Sequence, residues 1–260
     1  MADPAPRAPG QRFAGLGMLV TGAAGEIGSA VAGALVAEGA RVTLADLDAA
    51  SLARLADELG PAAHVVATDV TVEEDVERAV TEAVAFAGAG RLHGVFNNAG
   101  IEGPVGPITE LDLDRFADVL RINVLGAASV LKHSLPRLRA GGVVVQTGST
   151  ASLAGSPHMA PYVASKHALL GLTRAASREV AARGVRVTAV LPGPVQGRMM
   201  QRIEGGRSGS GAATAVNSTA LDGGRYGTVD EVVSAVLFLL SAEAAFVAGA
   251  GLLVDGGRLA

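Results

Sequence analysis

Tyr162 and Lys166 are the residues whose types and spacing point most directly to chemistry. They lie four positions apart, so on a helix both side chains project from one face, one turn above the other. A tyrosine hydroxyl titrates near pH ~10, and an ammonium one turn away stabilises the phenolate and lowers that pKa. Ser149 adds a hydroxyl that can hydrogen-bond the oxygen that gains or loses the proton. Together these side chains can interconvert an alcohol and a carbonyl, provided that a hydride acceptor is present.

A glycine-rich turn near the N-terminus is the candidate site for that acceptor. This second signal matters because a Tyr-x-x-x-Lys spacing also occurs on solvated helix faces. In TGAAGEIG, Gly22, Gly25 and Gly28 separate a predicted strand, residues 17–21, from a helix predicted over 23–39. Such glycines let backbone N–H groups and the helix dipole approach a pyrophosphate. The alternative is that they only form a tight turn and allow close helix packing.

Asp46 indicates which dinucleotide to expect. It ends the next predicted strand, residues 41–45, where a carboxylate accepts hydrogen bonds from the adenosine ribose hydroxyls. It would repel a 2′-phosphate, and no Arg or Lys stands at positions 25, 26 or 47 to offset that repulsion. The sequence therefore predicts NAD rather than NADP. The alternative is that Asp46 or Asp48 caps the helix predicted over residues 49–59.

Composition excludes several classes of protein. The chain is 49% hydrophobic and 18% charged, which suits a globular core and not disorder. Its net charge of −4, without a basic block, argues against a nucleic-acid partner. The absence of cysteine excludes disulfides and thiol nucleophiles, and no metal site is expected. Residues 1–14 are predicted to be a disordered leader and not a secretory signal, and the apolar stretch 232–254 is too interrupted to span a membrane. A soluble chain is therefore expected, with a reducing, cytoplasmic compartment as the default.

Strand and helix patterns alternate along the rest of the chain. Further strands are predicted over residues 65–67, 92–96, 143–146, 185–191 and 252–254, which makes about seven in all. Helical crossovers imply an α/β fold with a parallel, doubly wound Rossmann-type sheet, in a single domain over residues 15–260. Chemical groups should then collect at the carboxyl ends of the strands, because Gly22, Asp46, Asn97, Ser149 and Pro192 all follow strands directly.

Local patterns give more specific expectations. A long amphipathic helix is predicted over residues 112–139, with Asn123 on its apolar stripe, where a buried amide must find partners. The pairs Thr71 with Glu74 and Thr228 with Glu231 have the spacing of capping boxes.

Residues 197–227 form the least regular stretch. The segment contains the glycine-rich run GGRSGSG. It is predicted to be a mobile lid over the substrate, because it follows the carboxyl end of a strand. A dispensable disordered insertion is the alternative.

Taken in order, these motifs resemble the classical short-chain dehydrogenase/reductase family over residues 15–257. The resemblance implies that Tyr162 is the acid/base, that Lys166 lowers its pKa and holds the nicotinamide ribose, and that Ser149 orients the substrate oxygen. It also implies that Asn123 maintains a proton relay through water, and that the protein is a homotetramer. The cofactor residues that it implies are Gly22, Gly25, Glu26, Ile27, Gly28, Asp46, Leu47, Asp69, Val70, Asn98, Ala99, Gly100, Tyr162, Lys166, Pro192, Gly193 and Val195.

Two positions depart from the family pattern. Glu26 replaces the middle glycine of the phosphate loop, and a carboxylate near a pyrophosphate is unfavourable unless it points to solvent. Gly197 replaces a threonine that usually binds the nicotinamide carboxamide, which leaves the Val195 backbone as the anchor.

Residues that could face the substrate follow the same motifs. They are Glu102, Ser156, His158 and Met159, with Met199 and Met200 as apolar lining for a small or cyclic alcohol or ketone. A solvated loop position is an equal alternative for Glu102 and His158, as a core role is for the two methionines.

The preferred interpretation is an NAD-dependent oxidoreductase that interconverts a secondary alcohol and its ketone. An NADP-dependent ketone or 3-oxoacyl reductase is the second candidate. The third is a non-catalytic, dinucleotide-sensing protein, since a fold does not fix a function.

Overall fold

The structure is a computed structural model that describes residues 11–209, 221 and 224–260. Seven parallel strands form one sheet in the order β3-β2-β1-β4-β5-β6-β7, which confirms the predicted Rossmann-type α/β fold. The strands are β1 (Gly17–Thr21), β2 (Arg41–Asp46), β3 (Ala63–Ala67), β4 (Leu92–Asn97), β5 (Leu138–Thr147), β6 (Arg186–Pro192) and β7 (Gly251–Val254). The helices are α1 (Glu26–Ala37), α2 (Ala49–Leu59), α3 (Glu73–Ala87), α4 (Leu113–Leu120), α5 (Ala127–Ser134), α6 (Ala160–Val180), α7 (Arg198–Gly209) and α8 (Val229–Leu240).

Helices cover both faces of the sheet, because parallel strands with apolar residues on both sides must be buried on both sides. Leu19 and Val20 are consecutive in β1 and point to opposite faces. Val20 belongs to the core cluster that includes Val31 of α1 and Val236 of α8. Leu19 belongs to the cluster that includes Val80 of α3 and Val130 of α5. No helix in the described ranges is long and apolar enough to cross a membrane.

The strand order reverses at β1, which pairs with β2 on one side and with β4 on the other. The connections from β1 and β4 leave the sheet on opposite faces at this point and open a crevice at the carboxyl ends of the strands.

The helix predicted over residues 112–139 is interrupted. A π-helical segment, Arg121–Gly126, separates α4 from α5, and β5 already begins at Leu138. Asn123 lies in the π-helical segment, where the residue is fully buried. Single π turns inside α-helices are frequent at functional sites.

One of the two predicted capping boxes forms. Thr228 and Glu231 exchange hydrogen bonds at the start of α8, as predicted. The prediction for Thr71 and Glu74 is wrong, because α3 begins one residue later with Val72 at its N-cap. Thr71 instead donates its backbone N–H and its hydroxyl to Asp69 Oδ1, at 2.8 and 2.7 Å.

The structure describes only part of the predicted leader and part of the predicted lid. Residues 1–10 of the leader lie outside the described residues, whereas Phe13 is fully buried, so packed structure begins before residue 15. The first part of the stretch predicted as irregular is helical, since α7 occupies Arg198–Gly209. Residues 210–220 and 222–223 lie outside the described part, and the mobility of the lid stays a prediction.

Candidate active site

A cavity of about 760 Å³ lies at the carboxyl ends of the strands. Its lining includes Ser149 and every predicted cofactor residue except Gly28. Asn123 does not line it either. One cavity therefore joins the glycine turn after β1 to the Tyr162 region on α6.

The glycine turn leaves no room for side chains. Gly22 has φ +65°, and a Cβ built on it would lie 2.8 Å from the Cα of Ala99. A Cβ on Gly28 would lie 2.1 Å from the carbonyl oxygen of Gly22, which is backbone and cannot move aside. Gly28 therefore serves the packing of the turn, whereas Gly22 and Gly25 border the cavity. This close-packed turn at the start of α1 fits a dinucleotide pyrophosphate.

Asp46 borders the cavity at the end of β2. Its Oδ2 accepts the N–H of Ala24 at 3.0 Å, and its Oδ1 accepts the N–H of Asp48 at 3.0 Å. The N-cap of α2 is Asp48, whose side chain accepts the N–H of Ser51 at 3.0 Å. The capping alternative therefore holds for Asp48 and not for Asp46.

Asn98 ties three strand ends together at the cavity wall. Its amide Nδ2 donates to the carbonyl oxygens of Thr21 and Gly22 at 3.3 and 3.2 Å. Its Oδ1 accepts the hydroxyl of Thr147 at 3.0 Å. Asn98 therefore fixes the relative positions of the glycine turn and the end of β5.

Tyr162 lies in the first turn of α6, and its hydroxyl is hydrogen-bonded to Ser149. Burial raises the pKa of the Tyr162 phenol above its ordinary value of about 10, the Ser149 hydrogen bond lowers it, and the charge of Glu102 raises it. Ser149 Oγ also accepts the N–H of Ala151 at 3.1 Å, so its own proton remains available for donation. Ser149 is thus held as a donor beside the tyrosine oxygen.

Lys166 lies on the same face of α6, and its ammonium contacts the end of β5. Its Nζ donates to the carbonyl oxygen of Thr147 at 2.7 Å and lies 5.5 Å from the centroid of the Tyr162 ring. Burial lowers the pKa of Lys166 to about 8. In this arrangement burial dominates and raises the Tyr162 pKa. The predicted role of Lys166 in lowering that pKa stays a proposal.

Asn123 is buried one layer below the cavity. Its Oδ1 accepts the N–H of Ile101 at 2.8 Å, and its Nδ2 donates to the Ile101 carbonyl at 2.8 Å and to Ser165 Oγ at 3.0 Å. Both polar atoms of the side chain are engaged within the protein. The amide fixes the segment after β4 against α6, and the predicted water relay stays a proposal.

Glu26, the first departure from the family pattern, is held by the start of α7, although 38% of its side chain is exposed. Its carboxylate oxygens accept the backbone N–H of Arg198 at 3.2 and 3.1 Å, and Oε1 lies 3.4 Å from Arg198 Nε. The guanidinium therefore offsets the charge that would oppose a pyrophosphate. The same contact joins the glycine turn to the start of α7.

The residues expected to face the substrate are only partly brought together. Ser156, Met159, Met199 and Met200 line the cavity. His158 does not line it, and its backbone adopts φ +66°. Glu102 is buried, which excludes the solvated-loop alternative. Lining residues that the sequence analysis missed include Thr147, Arg198, Arg202, Tyr226, Arg258 and Leu259.

Comparison with known proteins shows the class to which this fold and site belong. Residues 22–258 match a family model described as enoyl-(acyl carrier protein) reductase. The chain belongs to the short-chain dehydrogenase/reductase family.

Two dehydrogenases are among the relatives that align with this chain over nearly their whole length. The chain is 39% identical to 2-(S)-hydroxypropyl-CoM dehydrogenase 3 of Xanthobacter autotrophicus, over 93% of this chain and 95% of that protein. It is 38% identical to 2,5-dichloro-2,5-cyclohexadiene-1,4-diol dehydrogenase of Sphingobium indicum, over 94% and 97% of the two chains. A crystal structure of NAD⁺-bound xylitol dehydrogenase superposes with a TM-score of 0.88 at 33% identity, covering 94% of this chain and 99% of that one.

These relationships make the protein an oxidoreductase of the alcohol dehydrogenase type, with a small-molecule substrate. The expectation of an enzyme is confirmed, and the non-catalytic alternative is not supported.

Proposed function

We propose that the protein interconverts a secondary alcohol and its ketone with NAD(H), and that Tyr162 is the acid/base. The observation that carries this proposal is the single cavity that reaches from Asp46 to Tyr162. Asp46 has its carboxylate at the end where an adenosine ribose would lie, and a carboxylate there opposes a 2′-phosphate. The alternative NADP-dependent reductase would need a cation beside Asp46, and none stands at positions 25, 26 or 47.

The side chains at the other end can perform the proton transfer. In the oxidative direction the Tyr162 phenolate takes the hydroxyl proton of the alcohol, while the Ser149 hydroxyl keeps its proton and donates a hydrogen bond to the substrate oxygen. Lys166 and Asn98 border the position expected for the nicotinamide riboside and would hold it. When bound, the cofactor would supply the nicotinamide ring that accepts the hydride in oxidation and returns it in reduction.

The relatives suggest the kind of substrate. Their names include a hydroxypropyl compound and a cyclic diol. Met159, Met199 and Met200 give this cavity adaptable apolar walls. We therefore propose a small or cyclic secondary alcohol as the substrate class.

Side-by-side titrations of NADH and NADPH, read from the fluorescence of the reduced nicotinamide, test the cofactor assignment. Tighter NADH binding is expected, and Asp46→Asn should reduce the preference because it removes the charge. Tighter NADPH binding by the unchanged protein would overturn the assignment. Tyr162→Phe should abolish turnover of cyclohexanol and related alcohols while both dissociation constants stay unchanged; retained turnover would exclude Tyr162 as the acid/base.

The homotetramer and the cytoplasmic location also stay proposals. The tetramer is expected to show four times the mass of the 25.9 kDa chain in light scattering. A monomer would refute this part of the proposal without affecting the chemistry.

A further inference from the structure

Glu102 is a buried carboxylate close to the reacting groups that the proposed mechanism does not use. Only 9% of the residue is exposed. It follows Ile101, whose backbone N–H and carbonyl are both bound by Asn123. The main chain that carries Glu102 is therefore fixed. The negative charge of Glu102 acts on Tyr162 and raises the pKa of its phenol.

Arg202 on α7 holds this carboxylate from the cavity side. Its Nη2 donates to Glu102 Oε2 at 3.2 Å, and its Nε donates to Oε1. The two parallel bonds give the fork geometry in which an arginine binds a carboxylate most strongly. Arg202 also lines the cavity, and 60% of its side chain remains exposed. A cation at the cavity wall is thus already bound to an anion of the protein.

The two partners differ in burial, since Glu102 is buried and Arg202 is largely exposed. They therefore depend on each other to different degrees. A buried carboxylate is strongly destabilised without a cation, so Glu102 depends on Arg202. The exposed guanidinium does not depend on Glu102, and without it would present a free fork of donors to the cavity. The fork matches the geometry of a substrate carboxylate.

We propose that Glu102 is a specificity-determining residue that occupies Arg202 and thereby makes the cavity select neutral alcohols over anionic ones. This inference rests on the proposed function and names the substrate class of the same site. A carboxylate on the substrate would have to displace Glu102, and would leave that buried anion unpaired. Rejection by an unpaired buried charge is a general route to specificity.

The test compares two probes of nearly equal shape, 4-hydroxycyclohexanecarboxamide and 4-hydroxycyclohexanecarboxylate. Calorimetric dissociation constants are measured with NADH present, so that the alcohols bind without reacting, and kcat/KM is measured with NAD. The unchanged protein is expected to favour the carboxamide. Glu102→Gln should strengthen binding of the carboxylate by about tenfold, and leave binding of the carboxamide within about twofold. The binding readout needs no turnover, so a failure of the proposed oxidation would be seen separately.

Two further variants test whether Arg202 is the arginine that binds the carboxylate probe. Glu102→Gln combined with Arg202→Gln should lose the gain for the carboxylate, because no freed arginine remains. A gain that persists would point to Arg258, the arginine that lines the cavity from the C-terminal tail, and would overturn the proposal. Arg202→Gln alone, a change at an exposed side chain, should make binding of the carboxylate probe weaker than it is in the unchanged protein.

Glu231→Gln is the matched control. It makes the same charge change at the pair with Arg225, outside the cavity lining, and glutamine still serves a capping box. Its probe preference should equal that of the unchanged protein. Failure of Glu102→Gln to bind the carboxylate more tightly than the unchanged protein does would refute the role of Glu102.

Discussion

The carboxylate of Glu26 fills the space that a side chain at position 197 would need. A Cβ built on Gly197 would lie 2.2 Å from Glu26 Oε2. The same carboxylate accepts the backbone N–H of Arg198 at 3.1 and 3.2 Å. The two positions at which this chain departs from its family's pattern are therefore neighbours in space, and the glycine accommodates the glutamate.

Substitutions at these two positions should not be additive. Gly197→Thr pushes the carboxylate away from Arg198, and Glu26→Ala removes it, so both break one set of contacts. Each is expected to lower the free energy of unfolding by less than about 1 kcal/mol, because the pair is partly exposed. The double variant should lose no more than the worse single variant. Urea unfolding of the four proteins measures this, and additive losses would refute the coupling.

Gly28 and Gly33 offer a matched pair on α1. Gly28→Ala places a Cβ 2.1 Å from a backbone carbonyl oxygen, whereas at Gly33 the nearest atom is the Leu59 side chain at 3.8 Å. Gly28→Ala should lower the free energy of unfolding by about 2 kcal/mol and abolish NADH binding. Gly33→Ala should raise the free energy of unfolding by roughly 0.5–1 kcal/mol, because alanine has a higher helix propensity than glycine. Equal effects of the two changes would contradict the close packing of the turn.

The phenol of Tyr162 should titrate differently in variants of its two polar neighbours. Ser149→Ala removes a hydrogen bond that lowers the Tyr162 pKa, so the pKa should rise. Glu102→Gln removes a charge that raises it, so the pKa should fall. The chain has two tyrosines and no tryptophan, so phenolate absorbance in a Tyr226→Phe background reports Tyr162 alone. Ser234→Ala, on the exposed face of α8, is the control, and shifts of the same sign in both test variants would refute the assignment.

Lys166 should make stability depend on pH. Its pKa is about 8 in the folded protein and 10.5 in the unfolded chain, so between these values the unfolded chain binds more protons. The free energy of unfolding should therefore rise with pH, by about 2–3 kcal/mol between pH 8 and 10. Lys166→Met should remove this rise in urea unfolding experiments.

The second lysine provides the control for that experiment. Lys132 is exposed, and a hydrogen bond with Glu73 raises its pKa, so both folded and unfolded chains keep its proton between pH 8 and 10. Lys132→Met should leave the rise intact. An unchanged rise in Lys166→Met would show that Lys166 keeps an ordinary pKa.

Asn123 should contribute to stability through the segment after β4. Asn123→Ala leaves the N–H and carbonyl of Ile101 and the hydroxyl of Ser165 without their partner. We expect a loss of about 2–4 kcal/mol in the free energy of unfolding, because buried groups are left unsatisfied. Gln201→Ala, at an exposed position of α7, should change it little. A loss no larger than that of this control would refute the structural role.

The sequence analysis located the site because its main residues follow strands. Asp46 is the last residue of β2, and Asn98 and Ser149 stand just after β4 and β5. In a parallel sheet those strand ends meet at one edge. Tyr162 and Lys166 share a helix face through local spacing alone. These positions follow from short-range pattern and from the handedness of the crossovers.

Other features depend on partners distant in sequence. The π turn at Asn123 coincides with hydrogen bonds to Ile101 and Ser165, which no helical periodicity contains. Glu102 and Arg202 are one hundred positions apart, and nothing local marks either as buried or paired. Burial likewise decides the direction of the Tyr162 pKa, and burial cannot be read from a Tyr-x-x-x-Lys spacing.

Helix α7 carries Arg198 and Arg202 one turn apart on the same face. The first contacts Glu26 after β1 and the second contacts Glu102 after β4, on either side of the reversal in strand order. Helix α7 therefore contacts residues on both sides of the crevice. Any effect that a bound cofactor has on the affinity for the alcohol through α7 must be matched by an equal effect of the alcohol on the affinity for the cofactor. Through such a coupling, a helix that supplies no reacting group would link cofactor and alcohol thermodynamically, and their order of arrival would affect rates but not the shared coupling free energy.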